Sequence, residues 1–378
     1  MKHVKQIFVI FSTASILASC GPKGALSQLR EAWNPANDPL RFLPADFERS
    51  FDALPQTASL EKTPWSDSYW PTTDAGISQR WNDSSIYGEA NFSYKSPTLE
   101  QLQTMSAADI AKLSPAEKFD ILNGDYNYTL LKEERSRTRP DAESWEGLCH
   151  GWASASLTLD EPKAVMIKNP QGIDIPVGSA DVKGLIDLYN GNYSDSRVYF
   201  VADRCDVDIS NEPDAANSPE CRDTNAGTFH LVLTNQIAKR HQGFVADVVR
   251  DLQVWNHPVY GYTSEIISQR DGASEGAAAG TVREVTIRTT MNYVSETGPV
   301  WEHGQVNKRN REYNYRVEIN QTGQIIGGEW LDSERPDFLW MQDAPEFANM
   351  DGINFSTLSS IYETSRTEQG DIPNPARP

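Results

Sequence analysis

The chain has 378 residues, 38% of them hydrophobic, with 10 tryptophans, 14 tyrosines and a mean hydropathy of −0.55. This is the composition of a globular protein able to bury a sizeable core, and it excludes wholesale disorder. The formal net charge of −19 repels phosphate backbones, so nucleic acid is excluded as a partner.

The chain opens on an export signal. Lys2 and Lys5 form a positive region, Ile7 to Phe11 begin an apolar stretch, and Leu17-Ala18-Ser19-Cys20 closes it as a lipobox. The apolar run is too short to remain as a spanning helix. Residues 1–19 are therefore expected to be a lipoprotein signal peptide, with Cys20 lipidated as the mature N-terminus. Gly21 in place of an Asp resembles outer-membrane sorting, so the expected location is a lipid-anchored one at the outer membrane, on its periplasmic or surface side. Residues 20–60 read as a tether with one short helix and 61–378 as the folded body.

Thr63 to Pro71 carries Trp65, Tyr69 and Trp70 between prolines that favour extended backbone, a strip that has to dock on the body. Ser114-Pro115-Ala116-Glu117 combines an N-cap, a proline at the first helical position and a capping-box glutamate, and predicts a helix through Phe119, Ile121 and Leu122. In Trp145-Glu146-Gly147-Leu148-Cys149-His150-Gly151-Trp152-Ala153, Gly147 allows a turn and the small residues after it predict a closely packed helix. Cys149 then lies in the first helical turn, where unpaired N–H groups and the helix dipole favour a thiolate. A further helix is predicted over Ser179 to Tyr189.

Strands take over afterwards: Val198 to Val201, Thr228 to Thr234, Gly243 to Val249, Arg283 to Thr289 and Tyr313 to Ile319, with Asn320-Gln321-Thr322-Gly323 as a hairpin turn into Gln324 to Trp330. Helices first and antiparallel strands later predict an α+β fold. The cysteines agree with export. With Cys20 lipidated and Cys205 paired to Cys221 in a disulfide across a short polar loop, Cys149 is the thiol left free. Inside that loop Asp206-Val207-Asp208-Ile209-Ser210 resembles the start of a calcium loop, but Asn211 and Asn217 stand where glycine and glutamate are required, so no metal is expected.

A thiolate nucleophile needs a base, normally a histidine. Of the six, His3 leaves with the signal, His241 lies in a polar connection, His150 points away from its neighbour on a helix, and His257 and His303 have loop-like settings. His230 remains, on the predicted strand after Gly227. Asp247 is the single acid in the next apolar strand, where a carboxylate needs a partner and could orient an imidazole. Asp251 and Asn256 are rivals for that role.

Val254-Trp255-Asn256-His257-Pro258-Val259-Tyr260-Gly261-Tyr262 resembles the surface peptide of the oomycete transglutaminase elicitors, from which His257, Tyr260 and Tyr262 depart. Similarity to that family extends to Pro64-Trp65, Tyr69-Trp70-Pro71, Gly147 to Ala153, Gly227-Thr228-Phe229-His230 and Ile326-Gly327-Gly328-Glu329-Trp330. The resemblance implies a papain-like, transglutaminase-like core and protein-glutamine γ-glutamyl transfer without a cofactor. The partners would be a protein or peptide glutamine donor and an amine acceptor. It implies Cys149 as nucleophile and His230 as base, with Asp247, placed more by strand spacing than by motif, as third member and Trp145 helping to form the oxyanion site; Asn256 stands beside them as a candidate supporting residue. The same triad would serve a cysteine peptidase or amidase, and a non-catalytic surface-binding lipoprotein is a further reading.

Overall fold

The computed structural model describes residues 32–204, 223–248, 252–367 and 371–377. Cys20, Cys205, Cys221, the acidic run from Asp206 and Asp251 lie outside the described residues. The helices are α1 (Leu99–Leu102), α2 (Ala107–Ile110), α3 (Pro115–Leu122), α4 (Thr129–Arg137), α5 (Cys149–Thr158), α6 (Ser179–Leu188), α7 (Ala226–Leu233) and α8 (Ser356–Ser365). The strands are β1 (Thr57–Ser59), β2 (Val165–Lys168), β3 (Asp174–Val177), β4 (Val198–Val201), β5 (Phe244–Asp247), β6 (Asn256–Asp271), β7 (Thr281–Ser295), β8 (Asn307–Asn320), β9 (Ile325–Trp330) and β10 (Leu339–Gln342). No helix among the described residues is long and apolar enough to cross a membrane.

An antiparallel sheet runs in the order β4-β10-β5-β6-β7-β8-β9, with β1 paired beside β6, and β2 and β3 form a separate hairpin. This is the α+β arrangement expected from the pattern. Local chemistry sets many of the boundaries. The Glu117 N–H donates to Ser114 Oγ at 3.2 Å and the Ser114 N–H to Glu117 Oε2 at 3.0 Å, the reciprocal box that starts α3. Between β8 and β9, Gly323 takes φ +80 while Asn320 Oδ1 accepts the N–H groups of Thr322 and Gln324, both at 3.0 Å.

The sheet separates two cores. One face carries Val245, Val294 and Trp340 against Trp65, Trp70, Phe119, Trp152 and Leu185 from the docked strip and the helices. The other carries Phe244, Ala246, Tyr313 and Tyr315 against α7 and against Phe42, Phe51 and Leu54. Those last three correct the tether. From residue 32 the chain is bound to the body, with Ala32 bridged to Gly327 and Ser50 to Gln324, because this segment supplies apolar side chains that the sheet face needs covered.

Two further expectations change. Residues 226–233 form a helix, not a strand: the Asn225 side chain accepts from the N–H groups of Gly227 at 2.8 Å and Thr228 at 3.3 Å, and all eight residues are buried. An apolar run buried on every side shows no period that separates strand from helix. Residues 256–262, where a loop-like setting was expected around His257, begin the long strand β6.

Candidate active site

Cys149 is the first residue of α5, and close backbone approaches fix that start. The Leu148 N–H donates to the Tyr69 carbonyl at 2.6 Å. A Cβ on Gly147 would lie 2.2 Å from that same carbonyl oxygen, so only glycine admits the aromatic strip here. Two residues into the helix, a Cβ on Gly151 would stand 2.0 Å from the Asp187 carbonyl, which explains the small residues that follow the cysteine: α5 and α6 pack nearly backbone to backbone.

Behind this contact lies a buried carboxyl pair. Trp70 Nε1 donates to Asp67 Oδ2 at 2.8 Å, and the buried Asp187 carboxyl lies beside Asp67. Burial raises Asp67 to about 6, with Lys183 opposing, and raises Asp187 well above the carboxylate range, with Asp67 adding to the shift. The pair therefore keeps a shared proton near neutrality.

The sulfur faces β6. Asn256 Nδ2 is 3.5 Å from Cys149 Sγ, and the Asn256 Oδ1 accepts from Trp340 Nε1 at 2.7 Å, which fixes the amide with its N–H groups toward the sulfur. The thiol donates to the Val254 carbonyl at 3.7 Å. Trp255 packs edge-on against Tyr69, ring centroids 5.2 Å apart, so the two aromatics close over the helix start and leave Cys149 only 5% exposed. Asp247 pairs with Asn256 across β5 and β6, on the sheet face that Val245 shares with α5.

Burial pushes the Cys149 thiol above its ordinary range; the Asn256 amide opposes this, while the charges of Asp247 and Glu296 add to it. Desolvation therefore works against the depression expected from the helix start. Glu296 also reaches a histidine. Its Oε2 is 3.8 Å from Nδ1 of His257, whose ring packs edge-on against Trp152, one turn along α5 from Cys149. His257 is 6% exposed, and its Nδ1 has no hydrogen-bond partner among the described residues. Burial lowers it to about 4 against the pull of Glu296.

His230 is not part of this cluster. It sits on α7, which packs on β8 and β9 on the opposite sheet face, and its Nδ1 is 2.8 Å from Tyr315 Oη. The sheet itself lies between it and α5, so the expected pairing of His230 with Cys149 or Asp247 is corrected. Trp145 lies in the loop before α5 under the Arg204 guanidinium, 6.0 Å from its ring centroid, and nothing places it at the sulfur. Asn256, a rival of Asp247 for the orienting role, is buried and touches the thiol itself. No group of three or more His, Cys, Asp or Glu among the described residues is placed to hold a metal.

A family profile described as transglutaminase elicitor matches residues 40–367. The chain belongs to the transglutaminase elicitor family. Its fold is similar to the crystal structure of the GP42 transglutaminase from Phytophthora sojae, with a TM-score of 0.65 at 21% identity over 89% of this chain and 98% of that one. No curated protein matches the sequence. Within this elicitor-family fold the structure brings together Cys149, Asn256 and Asp247 and leaves His230 and Trp145 elsewhere. His257, passed over in the sequence for its loop-like setting, is the histidine whose ring packs against Trp152 of the cysteine helix. Its only signals were its place directly after Asn256 and its departure from the elicitor peptide.

Proposed function

We propose that the protein is a transglutaminase that transfers the acyl group of a peptidyl glutamine to an amine through a thioester on Cys149. The observation that carries this reading is the Cys149 thiol at the start of α5 with the anchored Asn256 amide 3.5 Å from its sulfur. An amide donating to sulfur favours the thiolate, the form that attacks. In this reading the thiol proton passes to His257, whose imidazolium Glu296 stabilises, and Asp247 supplements the polar wall beside Asn256. The sulfur bonds to the carboxamide carbon, the carbon–nitrogen bond breaks, and the nitrogen leaves as ammonia with the proton returned by His257. An amine then attacks the thioester carbon, the carbon–sulfur bond breaks, and the amine's surplus proton passes through the base to the sulfur, which regenerates the thiol.

Incubation with a glutamine-donor peptide and a labelled amine tests this. Wild-type protein should incorporate the amine and release ammonia, and a folded Cys149→Ala variant should do neither. Amine incorporation at near wild-type rate in that variant would end the reading, and ammonia release without incorporation would reassign the site to hydrolysis.

A further inference from the structure

His230 has no part in that chemistry, yet it is built into a polar network. Its ring stacks on Phe51 with centroids 5.8 Å apart and planes at 28°. From Nδ1 a chain of close contacts runs 2.8 Å to Tyr315 Oη, 2.8 Å on to Thr289 Oγ1 and 2.7 Å on to Ser264 Oγ. Both ends of this chain, His230 and Ser264, line one pocket of about 150 Å³, partly open to solvent, whose walls set Phe51, Leu54, Ile266 and Ile287 beside the polar Asp52 and Gln269. His230 is only 4% exposed, and its Nε2 has no hydrogen-bond partner among the described residues.

The charge of the cavity is as telling as its shape. Burial holds the imidazole neutral, lowering it to about 4, and burial likewise pushes the Tyr315 phenol up so that it stays protonated. The Asp52 carboxylate on the lining is matched by Arg283 Nη2 at 3.0 Å. An ion entering would leave water without gaining a partner of opposite charge, whereas a neutral polar group would satisfy the free imidazole nitrogen. Apolar cavities of roughly 150 Å³ accept a benzene-sized molecule.

We propose that this cavity is a binding site for a small neutral molecule with a flat six-membered body and one hydroxyl or amide group, held by His230 Nε2 and Ser264. The site lies across the sheet from Cys149, so its ligand does not compete with an acyl donor, and it stands independently of the acyl-transfer reading.

Phenol and benzamide are suitable probes, with benzoate and benzylammonium as charged controls, titrated into the full chain by calorimetry and ligand-observed NMR. The neutral probes should saturate a single site, the charged pair should bind at least ~10-fold more weakly, and His230→Phe and Ser264→Ala should each weaken phenol binding. Should His230→Phe fail to fold, crystals of wild-type protein soaked with 4-bromophenol decide the matter by an anomalous bromine peak between Phe51 and Ile287. Equal binding of neutral and charged probes would overturn the proposal. So would a bromine elsewhere, a cavity that keeps only water, or bromine density without saturable binding in solution.

Discussion

Asn256 holds the Cys149 sulfur between opposing influences, since its amide favours the thiolate while burial and two nearby carboxylates disfavour it. Asn256→Ala removes the one favourable contact, so the pH at which iodoacetamide alkylation reaches half its maximal rate should rise by about one unit. A downward shift would mean that the amide does not act on the sulfur. The two buried histidines make an equally direct comparison. His257→Asn should lower kcat by about 10²-fold or more with the fold retained. His230→Asn should lower Tm and leave the turnover of folded protein near wild type. Equal losses of turnover in both would remove the distinction drawn from the sheet. At this scale the free thiol of Cys149 at a helix start was legible, because Gly147 before it and the small residues after it mark that start. His230 was legible as a buried polar residue and misplaced in role, because phase within a short apolar run says nothing about which side of a sheet the run will cover. His257 was hidden by Pro258 after it. Yet the ladder between β5 and β6 passes through Pro258 without a bulge, and β7 first pairs with β6 at Val259, so the proline interrupts neither.

Helix α5 is positioned by what it lacks. Gly151→Ala would drive a methyl group into the Asp187 carbonyl and should destabilise the protein by about 3 kcal/mol or more, read as a drop in denaturant midpoint at unchanged slope. Ala153→Gly on the same helix should cost only about 1 kcal/mol. Similar losses from the two would refute backbone-close packing of α5 on α6. The elements that the sequence made legible are those with local signatures: the capping box of α3, the N-terminus of α6 at Ser179, the Asn-Gln-Thr-Gly turn into β9. The elements it concealed, α7 and the start of β6, acquire their form from burial on all sides, a tertiary property with no local mark.

Over the whole molecule, buried titrating groups oppose one another in their dependence on pH. His230 and His257 are lowered to about 4, so between that value and about 6.5 the unfolded chain binds more protons, and stability falls as the pH falls through this window, by up to about 3 kcal/mol for each. Asp67 and Asp187 are raised, so stability falls as the pH rises from about 4, up to about 6 for Asp67 and further for Asp187. Asp187→Asn should therefore flatten the alkaline side, raising Tm relative to wild type more at about pH 8 than at about pH 5. A parallel shift at both would show that the pair holds no proton. The closure over Cys149 has a consequence of another kind. A sulfur shut behind a carbonyl and two aromatic rings meets peroxide, heavy metals and foreign disulfides only as often as that cover lifts, so the same packing that limits access to the thiol also preserves it from oxidation.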